Sequence, residues 1–140
     1  MNLNVDTNIG SINIKTYFES DLCIFCGNSG TGKTYLFSLL ADYYKTDLGL
    51  NVIRINEVGE SVKNKNTLID MCNGNDIVIF DRADLYLTPE VVEGVRQNGA
   101  KLILISIKNY GFTSKLRDFK LYHIVPENNR TCLVVKKEYA

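Results

Sequence analysis

Short apolar runs recur along the chain and alternate with stretches whose apolar residues fall at helical spacing. The runs are SINIK (11–15), LCIFC (22–26), NVIRI (51–55), DIVIF (76–80) and KLILISI (101–107). Continuous apolar character over roughly 4–7 residues, rich in Ile and Val, predicts strands buried on both faces. Between the runs, Leu36, Leu39, Leu40 and Tyr43 fall at i, i+3, i+4 and i+7 of a segment spanning 33–45. That is the stripe of a helix lying on a sheet. Thr88, Pro89 and Glu90 read as a helix start, with a capping hydroxyl, a first-turn proline and an early acid. Asn98 and Gly99 end that helix near Gln97. A third helix is expected over 60–72, diluted by Asn64, Asn66 and Thr67.

Strand alternating with helix predicts an α/β fold: a mainly parallel sheet with helices on both faces. The tail departs from that rhythm. FKLYHIV (119–125) and RTCLVVKK (130–137) flank Pro126, Glu127, Asn128 and Asn129, the layout of a C-terminal β-hairpin. No repeat, low-complexity tract or Pro/Gly/Ser-rich linker interrupts the 140 residues, so one domain over 1–140 is expected.

Composition narrows the function classes. The apolar share of 45% and charged share of 23% are ordinary for a globular protein. Lys plus Arg equals Asp plus Glu, so no basic excess announces nucleic acid or an acidic membrane. No zinc-finger spacing or aromatic-interleaved basic patch points to DNA or RNA either. No apolar run approaches the ~20 residues that span a bilayer, and residues 1–15 lack the layout of a signal peptide. The expectation is a cytoplasmic protein without a membrane partner. Cys23 and Cys26 form a C-x-x-C, but within a strand residues three apart face opposite sides. Both are expected to be small buried apolar residues.

The candidate chemistry lies in GNSGTGKT, 27–34, between the run LCIFC and the helical stripe. It fits G-x-x-x-x-G-K-[ST] at Gly27, Gly32, Lys33 and Thr34. Glycines let successive backbone N–H groups converge on one anion, and the following helix adds the positive end of its dipole. The expected phosphate-binding residues are Gly27, Asn28, Ser29, Gly30, Thr31, Gly32, Lys33, Thr34 and Tyr35. Lys33 would reach the outer phosphates, and Thr34 would offer its hydroxyl to Mg²⁺. DIVIFD ends in Asp81, whose carboxylate at a strand's C-terminal edge would face the ligand crevice and hold the same Mg²⁺.

With these two elements the chain resembles the P-loop NTPase superfamily, in its AAA-like and RecA-like branch. The resemblance covers roughly residues 20–110, including KLILIS, whose Ser106 matches the branch's γ-phosphate sensor, with Lys108 and Asn109 just beyond. It implies a three-layer fold, a sheet ordered 5-1-4-3-2, ATP with Mg²⁺ at its C-terminal edge, and assembly into oligomers. The position after Asp81 departs from the pattern. Many members of the branch carry a water-orienting glutamate there, and here it is Arg82, which stays protonated. Asp84 and Glu57 are the substitute acids. Arg82 itself would either neutralise phosphoryl charge or pair locally with Asp84 or Glu90.

Three functions follow from these residues. The first is a Mg²⁺-dependent ATPase acting as a switch or assembly motor, alone or with a protein partner, with Lys33, Asp81, Asp84, Glu57 and Ser106 as its catalytic set. The second is a non-catalytic nucleotide-binding module. The third is a small-metabolite or nucleoside kinase with Asp81 as base. ATP is the default nucleotide because D-x-x-G and N-K-x-D, the marks of GTPases, are absent.

Overall fold

The computed structural model describes residues 3–27, 32–56, 64–108 and 110–138. In chain order its elements are β1 (Asp6–Ile9), β2 (Ile12–Thr16), β3 (Leu22–Cys26), α1 (Lys33–Asp42), β4 (Val52–Ile55), α2 (Lys65–Cys72), β5 (Ile77–Phe80), α3 (Pro89–Gln97), β6 (Leu102–Ile107), β7 (Lys120–Glu127) and β8 (Cys132–Lys137). A π-helical turn over Tyr43–Asp47 prolongs α1, and 3₁₀ turns cover Ala83–Leu85 and Tyr110–Lys115.

Local sequence explains where the helices begin. Thr88 caps α3 by accepting a hydrogen bond from the Val91 N–H, with Pro89 in the first turn and Arg96 in the last. Asn64, which weakens the helical pattern when read as an interior residue, is the cap of α2. Its side chain accepts from the N–H groups of Asn66 and Thr67. α1 has no side-chain cap, and its first turn follows Gly32 in the left-handed region (φ 90°).

All eight strands form one sheet in the order β1-β2-β8-β7-β3-β6-β5-β4. β1–β2 and β7–β8 pair antiparallel. β2–β8, β3–β7, β3–β6, β5–β6 and β4–β5 pair parallel. The expected architecture is therefore corrected. In place of a mainly parallel, three-layer sheet ordered 5-1-4-3-2 with an appended hairpin, the chain folds as a strand-rich, eight-stranded mixed sheet. Among the described residues it carries three short α-helices of 10, 8 and 9 residues. The resemblance to the P-loop NTPase superfamily, which implied the three-layer fold, is corrected with it. Two features account for the change. The N-terminal segment turns at Gly10 (φ 63°) and adds a hairpin that lies parallel to β8. The C-terminal hairpin joins the sheet beside β3 through β7 rather than standing apart from it.

Alternation along the parallel strands divides the core. Leu22, Ile24, Val78, Phe80, Ile103 and Ile105 pack with Leu68 of α2 and Val91, Val92 and Val95 of α3. Cys23, Phe25, Ile77, Ile79, Leu102 and Leu104 pack with Leu36, Phe37 and Leu40 of α1 and with Tyr44. The period of two is that of strands covered on both sides. Cys23 and Cys26 fall into opposite clusters, and all four cysteines are free thiols. Burial pushes the Cys72 thiol up to about 12 and the Cys23 thiol higher still. Among the described residues no helix is long and apolar enough to cross a membrane.

Candidate functional site

Register brings four strand ends into line. Cys26 of β3 sits opposite Ile107 of β6, Ile105 of β6 opposite Phe80 of β5, and Phe80 opposite Ile55 of β4. The chain leaves each strand in the same direction there, so the residues that follow converge on one edge. Two backbone bonds hold that edge: Gly27 N–H to Ile107 O at 3.1 Å, and Asp81 N–H to Ile55 O at 2.8 Å. Against it lies a cleft of about 520 Å³ lined by Gly32, Lys33, Thr34, Tyr35, Asp81, Arg82, Asp84, Leu85, Ser106, Ile107 and Lys108.

Lys33, at the start of α1, turns its ammonium back to the strand ends. Nζ donates to the Gly27 carbonyl and lies 3.5 Å from the Ile107 carbonyl. Burial holds its pKa below the usual 10.5 against the smaller opposing pull of Cys26, Asp81 and Asp84. Thr34 and Tyr35 are exposed on the cleft wall, Tyr35 by 52%.

Asp81 is 2% exposed, and both of its carboxylate oxygens are engaged. Ser106 donates to Oδ1 at 2.5 Å, and the Arg54 guanidinium stands 3.4 Å from Oδ2. The same Arg54 Nη2 donates to the Thr34 carbonyl at 3.1 Å. Arg54 thus ties α1 to the end of β5. Ser106 continues the chain of bonds, because its Oγ also accepts the Arg82 N–H at 2.9 Å. Below this turn the Tyr86 hydroxyl lies 2.7 Å from each of the Ile55 and Asp81 carbonyls.

Of the residues singled out in the sequence, Gly32, Lys33, Thr34, Tyr35, Asp81, Asp84 and Ser106 all line this cleft. Gly27 adjoins it through the Lys33 bond. Asn28, Ser29, Gly30, Thr31, Glu57 and Asn109 lie outside the described residues. Two roles read differently in three dimensions. Ser106, expected to sense a γ-phosphate, is turned onto Asp81. Asp84, expected to orient water, accepts the Lys108 N–H on both oxygens at 2.8 and 3.0 Å. Arg54 was missed altogether. Its signal in the sequence was a lone charge within the strand VIRI, where a buried-strand pattern calls for an apolar residue.

Among the described residues the cleft lining carries three cationic side chains, Lys33, Arg82 and Lys108, against two carboxylates, Asp81 and Asp84. Arg54 stands directly behind. A chain of zero net charge therefore concentrates positive charge at this one edge, which suits an anion. Among the described residues no group of three or more His, Cys, Asp or Glu could hold a metal on its own. Thr34 and Asp81 nevertheless present oxygen donors to the same cleft. That set suits a hard divalent cation taking its remaining ligands from phosphate and water. No protein-family model matches the chain. No curated protein matches it either.

Proposed function

We propose that the chain binds ATP in this cleft, with Mg²⁺ beside the phosphates, and hydrolyses it as a switch or assembly motor. The observation that carries the reading is the cationic surplus among the described residues of the cleft, with the part-buried ammonium of Lys33 turned to the strand ends. Lys33 would exchange its carbonyl partners for phosphate oxygens, a stronger, charge-assisted contact. α1 starts beside the cleft at Gly32 and brings the positive end of its dipole to it. Thr34 and Asp81 would hold Mg²⁺, which neutralises phosphate charge when bound. Tyr35 and Leu85 offer exposed apolar surface on the rim for the rest of the nucleotide.

A second reading, a nucleotide-binding module without turnover, is favoured by Asp84. Its carboxylate is committed to the Lys108 N–H on both oxygens rather than held open for water. Calorimetric titration with ATP, ADP and tripolyphosphate, with and without Mg²⁺, tests binding, and Lys33→Ala should weaken it at least about tenfold. Unchanged affinity in that variant would sink the assignment. γ-Phosphate release measured across protein concentration then separates the two readings. Turnover that rises per molecule with concentration supports the motor and the homo-oligomer, and none at any concentration supports the module.

A further inference from the structure

One charged side chain at this edge is not accounted for by the nucleotide reading. Arg54 is the only charged residue of β4, and its guanidinium reaches across to the end of β5 while the side chain stays 24% exposed. Nη2 bonds the Thr34 carbonyl at 3.1 Å and stands 3.4 Å from Asp81 Oδ2. Its Nε is enclosed and has no hydrogen-bond partner among the described residues. A buried donor left without a partner is costly, so something must hold the guanidinium in place. Its contacts to a carbonyl of α1 and to the Asp81 carboxylate do that. The remaining oxygen of Asp81 is taken by Ser106. The carboxylate best placed for a divalent ion thus already has a cation.

We propose that Arg54 is the resident cation of Asp81, a positioning residue that competes with the divalent ion for the Oδ2 side of that carboxylate. The inference rests on the nucleotide reading for its purpose, since competition makes the ion enter with the phosphates rather than ahead of them. Without a ligand, an approaching doubly charged ion meets both the repulsion of the guanidinium and the need to break its contact with Asp81. With a polyphosphate in the cleft, added negative charge offsets that repulsion. The site is then closed to free cation and open to the cation–nucleotide complex.

The test uses Mn²⁺ alone as the probe, added to the nucleotide-free full chain and followed by the loss of its free-ion electron paramagnetic signal. Arg54→Gln should tighten Mn²⁺ binding by about tenfold or more, as expected for removing a unit charge a few ångströms away. Arg54→Met, which fills the same channel without charge, should do the same. Adding Asp81→Asn to either variant should abolish the gain. Equal Mn²⁺ affinity in wild type and both variants overturns the proposal. So does tight Mn²⁺ binding by the nucleotide-free wild type that Asp81→Asn removes, a result that needs neither Arg54 variant to fold. ATP binding measured in parallel on the wild type, in EDTA and again with Mg²⁺, keeps the two claims apart. Its absence under both conditions removes the nucleotide reading, whereas ATP binding with an unmoved Mn²⁺ affinity removes only the role of Arg54.

Discussion

Replacing Asp81 by Asn isolates the bond between β4 and β5 with little change in shape. The amide oxygen can still accept from Ser106, now 2.5 Å from Oδ1. The amide nitrogen, however, takes the place of Oδ2 and sets N–H groups against the Arg54 guanidinium 3.4 Å away. Breaking a fully buried ion pair by removing one partner costs roughly 3–5 kcal/mol. Asp81 is 3% exposed on its side chain but Arg54 is 24% exposed, so solvent recovers part of the loss. A cost of about 2 kcal/mol is expected. In urea, with a slope of about 2 kcal/mol/M for a chain of this size, the unfolding midpoint should fall by about 1 M with the slope unchanged. Arg54→Met should cost a similar amount, because it leaves the Asp81 carboxylate buried without its cation. The double variant should cost less than the sum by about 1 kcal/mol or more, which is the coupling of the pair. Additive losses, or an Asp81→Asn variant as stable as the wild type, would show that the contact does not hold this edge together.

Three further outcomes follow from particular contacts. Ser106→Ala removes the donor to Asp81 and the acceptor of the Arg82 N–H together, and should cost about 1–3 kcal/mol in the same urea assay. Gly94→Ala places a Cβ 2.5 Å from Ile69 Cδ1 between α3 and α2. The overpacking should outweigh the helical gain and cost about 1 kcal/mol. Ile69→Val should restore stability to the double variant, and a Gly94→Ala single variant more stable than wild type would contradict the packing. Because burial holds the Lys33 pKa below 10.5, its ammonium is less favoured folded than unfolded. The stability of the nucleotide-free protein should therefore rise as pH climbs from the folded pKa toward 10.5. ATP affinity, which needs the charge, should fall over the same window, and Lys33→Met should flatten both limbs.

The cleft was legible in the sequence where chemistry and strand ends coincide. Asp81 closes one apolar run, Ser106 lies next to the end of another, and Lys33 and Thr34 follow a third across the glycine-rich segment. The register of β3, β5 and β6 brings those ends to one edge. The whole architecture was less legible. DTNI in β1 is a short, polar strand with alternating exposure, and Asp and Asn carry low strand propensity. Nothing local shows that it forms a hairpin and continues the sheet beyond β8. Tertiary pairing of the two hairpins made the sheet mixed and strand-rich, and that information lies in contacts distant along the chain. Arg54 was hidden for the same reason, since its carboxylate partner is 27 residues away. Asn64 shows the opposite error. Its helix-weakening character is real, but at the end of α2 the side-chain oxygen serves as a cap.

Arg82 brings stability and binding into opposition. It is left-handed (φ 54°, ψ 48°), a conformation costing a residue with a Cβ roughly 1–2 kcal/mol. The turn holds it there, with its N–H on Ser106 and the Tyr86 hydroxyl bracing the Asp81 carbonyl just before it. The side chain is exposed and lines the cleft, where it contributes one of the three positive charges against two carboxylates. Glycine suits the backbone but lacks the charge. Arg82→Gly should therefore raise stability by about 0.5–1 kcal/mol, the strain relieved less the entropy glycine loses on folding. It should also weaken ATP binding several-fold through loss of the cation. Arg82→Ala separates the two effects, because alanine removes the charge and keeps the strain. It should weaken binding as much as glycine while leaving stability near that of the wild type. Equal stability of the alanine and glycine variants would show that the turn carries no such strain. Undiminished ATP affinity in both would show that the guanidinium plays no part in holding the phosphates.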